Sequence, residues 1–165
     1  MTEGPKHHFF GFHDLPITSA ASGRWLGLAV DRIDRPPMGD DRAEVIVWED
    51  GAGFAPRVLT ATRSFNFPQG ARQHWLGGTD TVIVNGEDAA GRPVATLHDA
   101  GDGALLGRIS AASYCSDAAG QRSFGLDFGR LHRLGGYGHA TVADRTPEAA
   151  SPADNGLFVT EIAAD

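Results

Sequence analysis

The sequence predicts an all-β fold, and three observations carry the prediction. The apolar segments are short, rich in β-branched and aromatic residues, and bounded by Gly, Asp and Asn, as strands are. With 22 Gly and 9 Pro in 165 residues, helix formers do not gather into long amphipathic runs, and no helix is expected. The segments also recur. A small-residue turn precedes an inner strand, a long polar insertion follows, and a second strand runs into an acidic turn. Three imperfect copies, about 11–60, 61–108 and 109–165, have the length of β-propeller blades. The alternative is a β-sandwich with irregular hairpins, because sandwiches also space short strands regularly.

Each element has its own warrant. Ser22-Gly23 turns into a strand over 24–30, and a second strand over 44–48 stops at Glu49-Asp50-Gly51. Gly77-Gly78-Thr79-Asp80 leads into a strand over 81–84, and the strand over 94–98 stops at Asp99, Gly101 and Gly103. Ala119-Gly120 leads into a strand over 123–128, and 156–162 closes the chain. Pro152 breaks any helix around 149–154, because it lacks an N–H and clashes with the preceding turn. The whole, 1–165, reads as one partial propeller domain. Propellers close with about four to eight blades. Three blades leave unpaired edges, so an incomplete propeller, or self-association through open edges, is expected.

Composition excludes several function classes. A net charge of −7 and a pI near 5.4 do not fit a nucleic-acid footprint or adhesion to an anionic membrane. Local clusters of Arg still suit a negatively charged ligand. Cys115 is the only cysteine, so no intramolecular disulfide and no thiolate metal cluster can form. The first residues have no apolar signal core, and a cytoplasmic location is expected. The glycine runs at 51–53 and 101–103 lack the strand-to-helix context of a nucleotide loop. His7 and His8 alone are a weak metal signal.

The chemistry-bearing residues concentrate at 64–77. Asn66, Gln69, Arg72 and His74 lie there between strand-like segments, and amides and guanidinium groups suit sugar hydroxyls and carboxylates. Arg72 and His74 are two apart and would share a face of a strand, with Trp75 on the other. A turn at Gly70 would bring Gln69 toward Arg72. His13 and Asp14 are a second candidate, since imidazole titrates near neutral pH; a structural His is the competing reading. Arg35 sits on a loop stiffened by Pro36 and Pro37, either to grip a carboxylate or to pin the loop with Asp34. Asp127, Arg130 and His132 occupy the corresponding loop of the third copy. If loops of successive blades converge, Asp31, Arg35, Asp127, Arg130 and His132 meet the 64–77 cluster at one mouth. Solvated loops with salt bridges between blades are the alternative.

Several motifs carry a resemblance. Gly11-Phe12-His13-Asp14, Ser22-Gly23-Arg24-Trp25, Ile33-Asp34-Arg35-Pro36-Pro37 and Gln69-Gly70-Ala71-Arg72 with Trp75-Leu76-Gly77 resemble bacterial propellers related to oligogalacturonate lyases and TolB-like repeats. The likeness covers the first half of such a propeller. The Gly-Phe-His-Asp and Gln-Gly-x-Arg pieces are the more distinctive; Ser-x-Gly-Arg is shared by many propellers, including WD40-like ones. The family cleaves uronate sugars by β-elimination and holds a divalent metal with His and Gln. The resemblance therefore implies an acidic oligosaccharide or another anionic small molecule as partner. In a catalytic version His74 or His132 is the base, and Arg72 or Arg130 neutralises the developing enolate. His13, Asp14, Arg35, Asn66, Gln69 and Asp127 then bind the ligand. Arg72 stands where a metal ligand would be wanted, and a guanidinium does not coordinate a cation. No metal is expected from these residues, and a divalent cation is implied only if further blades supply its ligands. The alternative function is a non-catalytic scaffold for protein or glycan assembly.

Overall fold

A computed structural model describes residues 4–49 and 55–162. Three antiparallel sheets follow one another along the chain. The first joins β1 (His7–Phe9), β2 (Trp25–Val30), β3 (Ala43–Trp48) and β4 (Arg57–Thr62) in that order. The second joins β5 (His74–Trp75), β6 (Thr81–Glu87), β7 (Pro93–Asp99) and β8 (Leu105–Ile109). The third holds β9 (Cys115–Ser116), β10 (Arg122–Gly125) and β11 (Phe158–Glu161), with β10 in the middle. The protein is thus mostly β, as its strand-like segments predict. The turn expected at 50–51, the glycine run at 51–53 and the acidic ending at 163–165 lie outside the described residues.

Period-2 alternation explains the packing. Leu26, Leu28 and Val30 of β2 and Val45 and Val47 of β3 form one buried cluster with Trp75, Val82 and Val84 of the second sheet. Ala29, Ile46 and Trp48, offset by one residue, pack in a separate cluster with Trp25. On the second sheet Ile83, Ala95, Leu97 and Ile109 join Leu76, with Ile162 packed against them. The first and second sheets bury each other, so a one-residue slip of β2 or β6 would exchange these clusters. No helix among the described residues is long and apolar enough to cross a membrane.

One helix corrects the sequence reading, which expected none. The strand expected over 123–128 stops at Gly125, and α1 (Phe128–Gly135) follows. Asp127 caps it, its carboxylate accepting the Arg130 N–H at 2.8 Å. Gly136, with φ 71°, ends it in the left-handed conformation and donates its N–H to His132 O. Phe128 is 1% exposed, so the helix is held by burial as well as by its caps. Gly129 permits this: a Cβ there would lie 2.5 Å from the Ala143 carbonyl.

Candidate functional site

The segment 64–77 is a tight loop that runs into β5. Asn66 and Gly70 exchange backbone hydrogen bonds at 3.1 and 2.9 Å, and the Asn66 side chain accepts the Gln69 N–H at 3.1 Å. Gly70 has φ +68°, and a Cβ there would lie 2.7 Å from Leu28 Cδ1. Gln69 is buried against Asn66. The turn at Gly70 sends Arg72 to different partners.

Arg72 is the centre of a buried knot. Its side chain is 0% exposed. Two guanidinium nitrogens donate to Asp14 at 2.8 and 2.9 Å, and Nε donates to the Tyr114 carbonyl at 3.1 Å. The guanidinium also lies 3.7 Å from the centre of the Tyr114 ring. Arg72 adopts φ 52°, rare for a residue with a side chain, so its surroundings over-determine it. The Arg72 hydrogen bond is the main cause holding the Asp14 carboxyl below its ordinary range. His13 beside it is exposed and touches Phe12.

His74 is 2% exposed, with Nδ1 2.8 Å from Arg72 O and Nε2 buried without a partner among the described residues. Burial pushes its pKa down to about 4, so it is neutral near pH 7. Trp75 is buried as well. The expected division of this stretch into a ligand face and a core face is therefore replaced by burial of both.

Arg35, Asn66 and His132 do come together. They line a cavity of about 370 Å³ whose walls include Phe65, Phe67 and Pro37. Arg35 holds Asp41 with two hydrogen bonds, at 2.5 and 3.0 Å, and its side chain is 31% exposed. Asn66 donates to Gly138 O, and Ser64 and Thr141 hydroxyls lie 3.4 Å apart, so the loop after α1 is tied to the loop before β5. His132 is half-buried, and its Nδ1 has no partner among the described residues. His139, on the same loop, stacks on Phe128 at 4.3 Å. Both its nitrogens are buried and unpartnered among the described residues, and burial lowers its pKa to about 3.

Asp127 and Arg130 are placed elsewhere, away from the mouth to which the repeat logic assigned them. Asp127 caps α1, accepts from Asn155 at 3.1 Å and lines a different cavity with Phe158. Arg130 donates to the carbonyls of Thr146, Ala149 and Ala150, pinning the 144–150 loop. Asp31 pairs with Lys6 at 3.5 Å. Sequence reasoning missed Tyr114 and the burial of His139. The Gly-Tyr-Gly-His run was the available signal for the second: Gly138 has φ +119°, and a Cβ there would meet Phe128 O at 2.1 Å.

The residues do not fit the divalent cation implied by the resemblance. No group of three or more His, Cys, Asp or Glu among the described residues could hold one. The buried Arg72 guanidinium is close enough to His74 to disfavour positive charge there, and Gln69 is engaged with Asn66. Burial also raises the Cys115 thiol, which keeps it protonated near pH 7. No family model matches the chain, and no curated protein or solved structure matches it either.

Proposed function

We propose that the three sheets are blades of a β-propeller whose loop face binds an acidic carbohydrate, of the uronate-oligosaccharide class, between Arg35, Asn66 and His132. One observation carries the reading. His132 lines the cavity beside Arg35 and Asn66, and its Nδ1 is a buried polar atom without a protein partner among the described residues. Such atoms are rare in folded proteins, and a ligand hydroxyl or carboxylate would satisfy it by drawing the imidazole toward the cavity. Arg35 supplies a cation there, with Nε still uncommitted among the described residues. Phe65, Phe67 and Pro37 supply apolar walls suited to the C–H faces of a sugar.

The blade reading draws on topology. Each sheet uses consecutive strands, the first two share one buried cluster, and Ile162, just after β11, packs against the second sheet. A Greek-key sandwich would instead interleave distant strands in one sheet. Binding is favoured over catalysis. Arg72 is fully buried, and both terminal nitrogens of Arg130 are engaged by backbone carbonyls. In the catalytic version only His132 lines the cavity as a base. It would take the proton next to the uronate carboxylate while the glycosidic oxygen leaves the neighbouring carbon.

A scaffold role draws on β11. Phe158 and Val159 on that edge strand, and Leu157 just before it, are exposed, and the edge is open to pairing with a second copy or another protein. Calorimetric titration with oligogalacturonates separates these readings. Saturable binding that weakens about tenfold in His132→Ala supports the cavity. Unsaturated product detected by ultraviolet absorbance adds the lyase step. Neither binding nor product overturns the carbohydrate reading and leaves the scaffold.

A further inference from the structure

The segment 62–67 separates two hollows. Thr62 and Ser64 line a crevice of about 450 Å³ between the first and second sheets. Phe65, Asn66 and Phe67 line the His132 cavity. A smaller hollow of about 150 Å³ connects them: it shares Arg35, Pro37, Phe65 and Phe67 with the His132 cavity, and Arg42 with the crevice. The three hollows adjoin in series through shared lining residues, as an interrupted groove.

The far end of that groove is electrostatically unfinished. Arg42, Arg63 and Arg108 line the crevice, and none of their side chains has an ion pair or hydrogen bond among the described residues. Ala43 pairs with Thr62 across β3 and β4, so Arg42 and Arg63 follow at the next opposed positions. Like charges placed opposite each other repel. Arg108, paired with Thr96 on the second sheet, faces the same crevice. In a chain of net charge −7, uncompensated cations gathered here run against the overall balance. Of the crevice's two acids, Asp88 is held by Arg92 at 2.7 Å. The other, Glu87, has Oε1 buried without a partner among the described residues.

We propose that this crevice is an outer subsite for an acidic glycan. Arg42, Arg63 and Arg108 take a carboxylate or sulfate of the ligand, and Glu87 accepts a sugar hydroxyl. The proposal rests on the reading of the His132 cavity as a glycan site. It adds that the ligand is a chain of several units bearing more than one anionic group, running from the His132 cavity through the Arg35 hollow to the crevice.

The test is a ladder of length-defined oligogalacturonates, from one sugar unit upward, titrated by calorimetry into the wild type and the Arg63→Ala/Arg108→Ala variant. Both arginines are exposed and unpaired, so the variant should fold, and its melting curve checks that. Affinity should rise about tenfold once the chain reaches the crevice, and the variant should lose that gain while keeping its affinity for the shortest ligand. A parallel ladder of heparin oligosaccharides tells sulfate from carboxylate by which series shows the gain. If short ligands bind and longer ones of either series bind no tighter, the outer subsite is overturned and the His132 reading stands. If no glycan binds, both glycan readings fall. A sulfate titration followed through the arginine Nε–H signals then decides the crevice itself. Saturable shifts at Arg63 and Arg108 would support an anion site in its own right, and unmoved signals would overturn that too.

Discussion

Arg72 and Arg35 each grip an aspartate with two hydrogen bonds, and they serve different ends. Arg72 reaches Asp14, 58 residues away, and the Tyr114 carbonyl, 42 residues away. Its side chain is 0% exposed and its guanidinium covers an aromatic ring. Arg35 reaches Asp41, six residues away, and its own Pro36 carbonyl. It keeps 31% of its side chain exposed, on the wall of a cavity. The first pair joins distant parts of the chain and seals its guanidinium from ligands, although the Asp14 side chain stays 37% exposed. The second shapes one loop and leaves that loop at an open site. What separates the roles is the sequence distance of the partners and the burial of the charge.

The sharpest way to break this contrast is to truncate each arginine. Arg72→Ala leaves Asp14 without its partner and a gap against Tyr114, and should cost on the order of 3 kcal/mol in a denaturant melt. Arg35→Ala should leave the melt almost unchanged and weaken ligand binding instead. Equal stability losses in the two variants would remove the distinction.

Smaller effects sharpen it. Gly138→Ala forces a Cβ toward Phe128 O at a backbone angle that favours glycine, and should cost about 2 kcal/mol and loosen the loop carrying His139. Asp127→Ala removes the α1 cap and should cost about 1 kcal/mol in thermal unfolding, with no change in ligand affinity. A loss of affinity there would return Asp127 to the site.

Acid should act on the closed region. Burial holds His74 and His139 to pKa values of about 4 and about 3, below the ordinary 6.5. The unfolded chain therefore binds more protons than the folded one below that ordinary value. Stability should fall as pH drops from about 6.5 toward about 4. Asp14 adds a further loss at lower pH. Its folded pKa is depressed, so its contribution is present above the ordinary carboxylate range and vanishes as pH falls through the folded value. Melts of His139→Leu across this range should show a shallower acid slope. An unchanged slope would mean that His139 is not buried as described.

The legible part of the fold was its apolar interior. β2, β3, β6 and β7 carry alternating β-branched and apolar residues because both of their faces are covered. β4 and β8 were missed because they are half exposed and mix polar with apolar residues, as edge strands do. The eight-residue α1 is too short to display a helical period, although its Asp127 and Gly136 caps were in plain view. At the site, the sequence reading grouped Arg35, Asn66 and His132, and all three line one cavity. It did not foresee the enclosure of Arg72, because Asp14 and Tyr114 come from distant segments and nothing local marks them as partners.

The central claim is that His132 faces a ligand while His74 and His139 are sealed in the structure. Proton–carbon NMR of the histidine rings during titration with digalacturonate tests it most directly. The His132 signals should move saturably while those of His74 and His139 stay fixed. The claim is contradicted if His132 stays still at saturating ligand, or if all three rings move together.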